Sequence, residues 1–287
     1  MLKLWDRLWE RVIKLLTLFS LLLLAFAIIF ILKESLVFFR QVSIIKFITG
    51  TTWNPLSSPE NLSIGNIILG TLYVSFVALV LALPIGVGCG LLLAGYTGGQ
   101  FGRFLRGIID ILASIPSVVY GFIGLLVLVK FLERHLNMAA GESVLAGGIL
   151  LAVMILPYVI STCQESMTRI YQTHTLGSAA LGVSKGYFLR KVVLPESRRA
   201  ILAATILALG RAMGETMAVM MVIGNAPIAP SLLGKCQTIP ALIALEMGMA
   251  AVGSLHYHAL YAAGFALMLI LLVLNLMLYF VRKSITD

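Results

Sequence analysis

Residues 64–94 read IGNIILGTLYVSFVALVLALPIGVGCGLLLA, a stretch without a single charged side chain. An α-helix rises about 1.5 Å per residue and needs about 20 apolar residues to cross the hydrocarbon core of a bilayer. This stretch is long enough to span even with Pro84 inside it, because neighbouring helices can satisfy the carbonyl that a proline frees. Comparable runs lie on both sides: Leu15 to Leu32, Gly107 to Val129 (with Asp110 and Pro116), Ser143 to Cys163 (with Pro157), Ala200 to Ile223 (with Arg211 and Glu215), and Leu255 to Val281. The pattern predicts an all-α integral membrane protein of about six transmembrane helices, forming one domain over residues 1–287. Kinks are expected at the three interior prolines.

The composition agrees. Of 287 residues 60% are hydrophobic and 11% charged, too little polar surface for a domain bathed in water. The net charge of +9 does not point to nucleic acid, since the basic residues sit in short segments between apolar runs. Fourteen of the 21 Lys and Arg residues fall in the N-terminal segment, the 95–106 loop, the Gln164–Arg199 loop and the C-terminal tail, against six in the alternate loops. By the positive-inside rule both termini and the Gln164–Arg199 loop are expected in the cytoplasm. Ala25-Phe26-Ala27 has the form of a signal cleavage site, but it lies mid-run, so the first span is read as uncleaved. Cys89, Cys163 and Cys236 are too scattered for a metal site or a disulfide framework. On the outer side, Ser35–Ser63 is turn-rich, and Ala241–Val252 is too short to span and is expected as a re-entrant or surface helix.

Two stretches carry candidate function. The first is the long basic loop, where Leu176-Gly177-Ser178-Ala179-Ala180-Leu181-Gly182-Val183-Ser184-Lys185 precedes Arg190-Lys191-Val192-Val193-Leu194-Pro195. Small residues allow close packing against a partner, and Gly182 can end a helix in the left-handed conformation before a new one begins. The plain alternative is a basic loop that merely anchors two spans. The second stretch is Gly210-Arg211-Ala212-Met213-Gly214-Glu215-Thr216. On a continuous helix Arg211 and Glu215 share a face and can pair, while Gly210 and Gly214 offer a small-residue face to another helix. An arginine at mid-bilayer costs about 2.5–3.5 kcal/mol on insertion scales, so it usually faces a cavity or a partner. Its planar fork of donors suits an oxyanion in transit. The alternative is a self-neutralising pair that only fixes packing.

The spacing of the first stretch resembles the EAA loop of binding-protein-dependent ABC importer permeases, although the leading Glu-Ala-Ala falls here on Leu176-Gly177-Ser178. The resemblance implies a type I importer bundle (MetI-like) with a coupling loop at about 164–199. In that loop Gly177, Ala180, Gly182, Lys185 and Pro195 are the candidate ATPase contacts. Further segments, Trp53-Asn54-Pro55, Gly70-Thr71-Leu72, Ile115-Pro116-Ser117-Val118-Val119-Tyr120-Gly121, Gly210–Thr216 and Ala244–Gly248, resemble the permeases of phosphate-specific (Pst) importers. They are nearer the PstC-type subunit than its PstA-type sister. This likeness implies inorganic phosphate as cargo, with molybdate or sulfate as alternatives. Arg211, Glu215, Thr216, Ser117 and Tyr120 then line the route. It also implies a homologous PstA-like permease, two cytoplasmic ATPase subunits, an extracytoplasmic phosphate-binding protein, and an address in the cytoplasmic (inner) membrane.

No phosphate-cradling Gly-x-x-x-x-Gly-Lys-[Ser/Thr] is present, so ATP must bind a separate chain and no cofactor is expected here. An intramembrane enzyme would need paired carboxylates or a Ser with a base at depth, and the spans offer neither. His256-x-His258, with no adjacent carboxylate or Cys, is read as an interfacial pair rather than a metal site. Gly86-Val87-Gly88-Cys89-Gly90 reads as a packing face.

Overall fold

The computed structural model describes residues 2–96 and 99–284. Long apolar runs become long helices, since a bilayer leaves a spanning backbone no other way to satisfy its own hydrogen bonds. They are α1 (Leu2–Phe39), α3 (Gly65–Gly95), α7 (Val144–Ala180) and α13 (Leu255–Ser284). Among the described residues, four helices are long and apolar enough to cross a membrane unbroken. The remaining two apolar segments are interrupted. The third run divides into α4 (Gly99–Ser114) and the helical stretch 117–135, bent by 93° at Ile115-Pro116. That stretch comprises α5 (Ser117–Ile123), a wider π turn (Gly124–Val129) and α6 (Lys130–His135). The fifth divides into α10 (Arg198–Gly214) and α11 (Met217–Val222). The six expected segments are therefore four continuous helices, one bent pair and one broken pair.

α3 and α7 form the centre. Gly86 and Gly90 let α3 lie directly on α7, where an added Cβ would stand 2.5 Å from Val159 Cγ1 and 3.0 Å from Cys163 Cβ. Gly148 of α7 returns the contact, its Cβ position lying 2.4 Å from Val77 Cγ1. Pairs 77–148, 86–159 and 90–163 advance together, so the two helices run parallel. Gly88, the middle glycine of that motif, faces open space. α10, α5 and α11 complete this core, with Val74, Ala78, Leu151, Ile155, Val159, Ala204, Ala208 and Ala218 buried.

A second core sits where α1 meets α13. It gathers Phe38, Phe47 of α2 (Ile44–Thr49), Trp53, Leu62, Ile64, Leu242 and Leu260. Strands β1 (Trp53–Asn54) and β2 (Asn61–Leu62) form a small antiparallel hairpin over it. The expected short helix of the outer segment is α12 (Ile239–Glu246), whose first turn is buried. Its entry is fixed to α3: Ile239 N donates to Thr71 Oγ1 at 2.9 Å, and the missing side chain of Gly70 leaves room for the Gln237 carbonyl. Much of α1 from Leu15 to Ile29 carries exposed large apolar side chains, as suits a lipid-facing helix.

Candidate functional site

The break in the fifth segment reshapes the expected pair. α10 ends at Gly214, and Glu215 has extended backbone (φ −72°, ψ 126°). The one-turn spacing that would bring Arg211 and Glu215 together on a continuous helix is lost, and no ion pair joins them among the described residues. Arg211 instead lies flat against Tyr158 of α7, its guanidinium carbon 4.6 Å from the ring centroid. This cation–π contact orients the charge without neutralising it. Arg211 is exposed and lines a cavity of about 370 Å³ with Tyr158, Ser161, Thr162, Leu207 and Pro157. Glu215 and Thr216 are half-buried at the break. Gly210 and Gly214 present open faces, an added Cβ meeting nothing within 4 Å, so no described helix of this chain uses them.

The bend at Pro116 also has an internal fastening. Tyr120 is buried and its hydroxyl donates to the Leu112 carbonyl at 2.8 Å, bridging the corner between α4 and α5. Its hydroxyl hydrogen is thereby spent on the backbone, so Tyr120 fastens the corner and does not offer that donor to a ligand. Ser117 is half-buried at the start of α5. Gly121 lets α5 and α11 touch: a Cβ there would lie 2.9 Å from Ala218 Cα, while Gly124 faces Val222. These pairs also advance together, which sets Ser117 near the level of the Glu215–Thr216 break. The structure therefore gathers all five candidate residues, Arg211, Glu215, Thr216, Ser117 and Tyr120, about two adjoining helix breaks. It adds Tyr158, Ser161 and Thr162, whose three- and four-residue spacing in an otherwise apolar span was the signal available in the sequence.

The basic loop is mostly helix. α7 continues without interruption to Ala180, and the chain then reverses. Gly182 takes φ +67°, its N–H donates to Ala179 O at 3.0 Å, and Val183 N donates to Ser178 O at 3.0 Å. These are the two bonds of a Schellman ending, which satisfies carbonyls at the helix terminus. The turn leads into α8 (Lys185–Phe188), a π turn (Leu189–Val193) and α9 (Leu194–Glu196). At the tip Leu176 and Leu181 are 82% and 81% exposed, unusual for leucines remote from an apolar span, and Gly177, Ala180 and Gly182 lie beside them, also exposed. Lys185 turns back on its own chain, with Nζ 5.0 Å from the Tyr96 ring and 5.6 Å from Tyr171. Pro195 is exposed in α9, on the returning limb.

The histidines differ from expectation: each has a carboxylate. His256 Nε2 lies 2.8 Å from Glu246 Oε2, and Trp53 Nε1 donates to both oxygens of that carboxylate at 3.1 and 2.9 Å. His258 Nδ1 stands 2.9 Å from Glu34 Oε2 across the α1–α13 contact. The partners are distant in sequence, which is why the motif looked isolated. Among the described residues no group of three or more metal-ligating side chains occurs.

Comparisons with known proteins agree with this architecture. The family model described as the binding-protein-dependent transport system inner membrane component matches residues 86–287. A probable ABC transporter permease of Bacillus subtilis, YqgH, is 36% identical over 79% of this chain and 74% of its own length. The phosphate transport system permease PstC of Mesorhizobium japonicum is 33% identical over 78% of this chain and 74% of its own. A probable PstC of Methanocaldococcus jannaschii is 31% identical over 89% of both. Among solved structures, a chain of the inward-facing MetNI methionine ABC transporter superposes with a TM-score of 0.61. At 18% identity, over 78% of this chain and 96% of that one, it speaks for the fold alone. With a family match over most of its length and a helical bundle of the expected type, the chain belongs to the inner-membrane components of binding-protein-dependent transport systems, a multi-pass transport subunit and not an enzyme.

Proposed function

We propose that this chain is a PstC-like permease subunit that passes inorganic phosphate across the cytoplasmic membrane in an ATP-driven importer. The observation that carries the reading is Arg211: a cation within a membrane bundle, exposed on a cavity wall, oriented by Tyr158 and left un-neutralised. A permanent guanidinium held this way suits an anion with several acceptor oxygens. The similarity to PstC permeases supports phosphate as that anion. Glu215 would act as a counter-charge. If the break at 215–216 closed into continuous helix, Glu215 would come within one turn of Arg211 and mask it. Alternating access would then alternate a charged route with a neutral one. Ser117 and Thr216 supply hydroxyls at the two adjoining breaks.

The exposed tip around Leu176, Gly177, Ala180, Leu181 and Gly182 is the surface suited to dock on a cytoplasmic ATPase. Lys185 holds the turn against Tyr96 and Tyr171, and Pro195 begins the limb that returns to α10. In this reading both termini are cytoplasmic, as the distribution of Lys and Arg supports. The assembly holds two ATPase subunits, a homologous PstA-like permease whose helices complete the open face of Arg211, and a phosphate-binding protein outside. The test is uptake of labelled phosphate by the complex reconstituted in proteoliposomes, with ATP inside and binding protein outside. Saturable uptake that excess molybdate or sulfate leaves in place is expected. Uptake of either competitor in preference to phosphate reassigns the cargo, and no ATP-dependent anion uptake overturns the proposal.

A further inference from the structure

α7 is two-faced through its middle, around residues 158–172. Leu151, Ile155, Val159, Cys163 and Met167 are buried in the core. The opposite face carries Tyr158, Ser161, Glu165, Arg169 and Gln172, all exposed, repeating every three or four residues. By the distribution of Lys and Arg the stripe leaves the bilayer near Gln164, so Tyr158 and Ser161 are its polar members at membrane depth, where such a face lines water or a partner. The stripe runs from the level of Arg211 towards the Gly182 tip.

A second cavity, of about 520 Å³, lies on this face between α7 and α4. Its walls include Arg106, Ser161, Gln164, Thr168 and Arg169. Ser161 belongs to both this cavity and the one beside Arg211, so the two adjoin. The Gln164 amide oxygen, oriented by its hydrogen bonding, accepts from Arg106 Nε at 3.0 Å and Nη2 at 3.2 Å. That leaves the far edge of the guanidinium with its donors unspent. Asp110 lies one turn on from Arg106, yet no ion pair joins them among the described residues. Thr168 lines the cavity, and its Oγ1 is buried with no hydrogen-bond partner among the described residues. Buried polar atoms rarely remain unpaired in a finished assembly. Glu165 and Gln172 line it as well, so one carboxylate stands among the two guanidinium groups.

We infer that this cavity is a second anion station, nearer the Gly182 tip than Arg211, in which Arg106 and Arg169 receive the tetrahedral oxyanion after Arg211 releases it. Tyr158, on which Arg211 lies, and Arg169 are eleven positions apart on α7, about 16 Å at helical rise. Ser161, Thr162 and Gln164 supply hydrogen-bonding groups along that interval. Two separated cationic stations with neutral polar groups between them let an anion move in steps without one deep well. Arg106 and Arg169 bind cargo here, and Gln164 is a positioning residue acting through Arg106. This inference rests on the translocation reading of Arg211.

The experiment uses the complete complex in proteoliposomes. Arg106→Gln with Arg169→Gln is expected to lower the maximal rate of phosphate uptake about tenfold, the loss of a charge-assisted hydrogen bond. The external concentration at half-saturation should stay unchanged, because capture from outside precedes this station. Arg106→Lys with Arg169→Lys should recover much of the rate. A second readout survives a loss of transport: Thr168→Cys, placed in a Cys89→Ser background, is labelled from the tip side. An anionic methanethiosulfonate should react faster than a cationic one, phosphate should slow it, and both effects should vanish with the two Gln substitutions. Normal uptake in the doubly substituted complex, or labelling indifferent to reagent charge and to phosphate, overturns the inner station. Arg211→Gln separates the cases: if it too leaves uptake intact, the translocation reading itself has failed.

Discussion

Two polar clusters in this bundle are treated in opposite ways. At the hairpin end Glu246 is saturated: Trp53 donates to both its oxygens, His256 closes on one, and the carboxylate and imidazole are 17% and 15% exposed. At the helix breaks Arg211 has one aromatic face to lie on and no described carboxylate, and it is exposed beside a cavity. Both clusters put ionisable groups within a membrane bundle. The saturated one ties the hairpin, α12 and α13 together, acting as a strut between elements far apart in sequence. The open one leaves donors without a partner among the described residues, which is what the proposed anion route requires. Satisfaction of the group, more than its burial, separates scaffold from site.

The comparison breaks most visibly if the open cluster is removed. Arg211→Ala should reduce phosphate uptake by up to about a hundredfold, the factor matching the ~3 kcal/mol upper range for a hydrogen bond to a charged group. Complex assembly, followed by co-purification of the ATPase, should be unchanged. Uptake near the unsubstituted rate would place Arg211 with the struts. Removing the saturated cluster should do the reverse. Glu246→Ala strands the Trp53 N–H and His256 in a nearly closed site, at a cost of about 1–3 kcal/mol. The unfolding temperature of the purified complex should therefore fall, while uptake per folded complex stays within about twofold of normal, under the 1.4 kcal/mol that a tenfold change represents. Loss of uptake without loss of thermal stability would make Glu246 part of the route. The smallest effect sharpens the account of how Arg211 is aimed. Tyr158→Leu removes an aromatic face worth about 0.5–2 kcal/mol and should raise half-saturation several-fold, whereas Tyr158→Phe keeps the ring and should change little. Equal effects of the two would shift the role to the Tyr158 hydroxyl.

Much of this was legible in the chain. The apolar runs appear as helices because a backbone in hydrocarbon must satisfy itself locally, so length and hydropathy suffice. Pro116 coincides with the 93° bend, where a residue preceding proline is steered out of the α region. Gly182 ends its helix with positive φ because it carries no Cβ. Gly86 and Gly90 do form a packing face. The interruption at Glu215 was not legible, since no proline marks it and the periodicity of the run continues through it. The extension of α7 to Ala180 was hidden for the opposite reason: charge and polarity rise past Cys163 while helical backbone persists, carried on by α7's contacts with α8, α9 and the π turn.

The sequence by itself determined that this chain lives in a bilayer, roughly where it crosses, and where the small and positively charged surfaces suited to partners lie. These are sums over neighbouring residues, and a hydrophobic length or a charge bias needs no knowledge of the far end of the chain. The tertiary structure alone decided which ionisable groups are answered and which stay open. Trp53 and Glu246 are 193 residues apart yet hydrogen-bonded, while Arg211 and Glu215 are four apart and separated by a break. Pairing follows distance and direction in space, and those are set only when the helices pack.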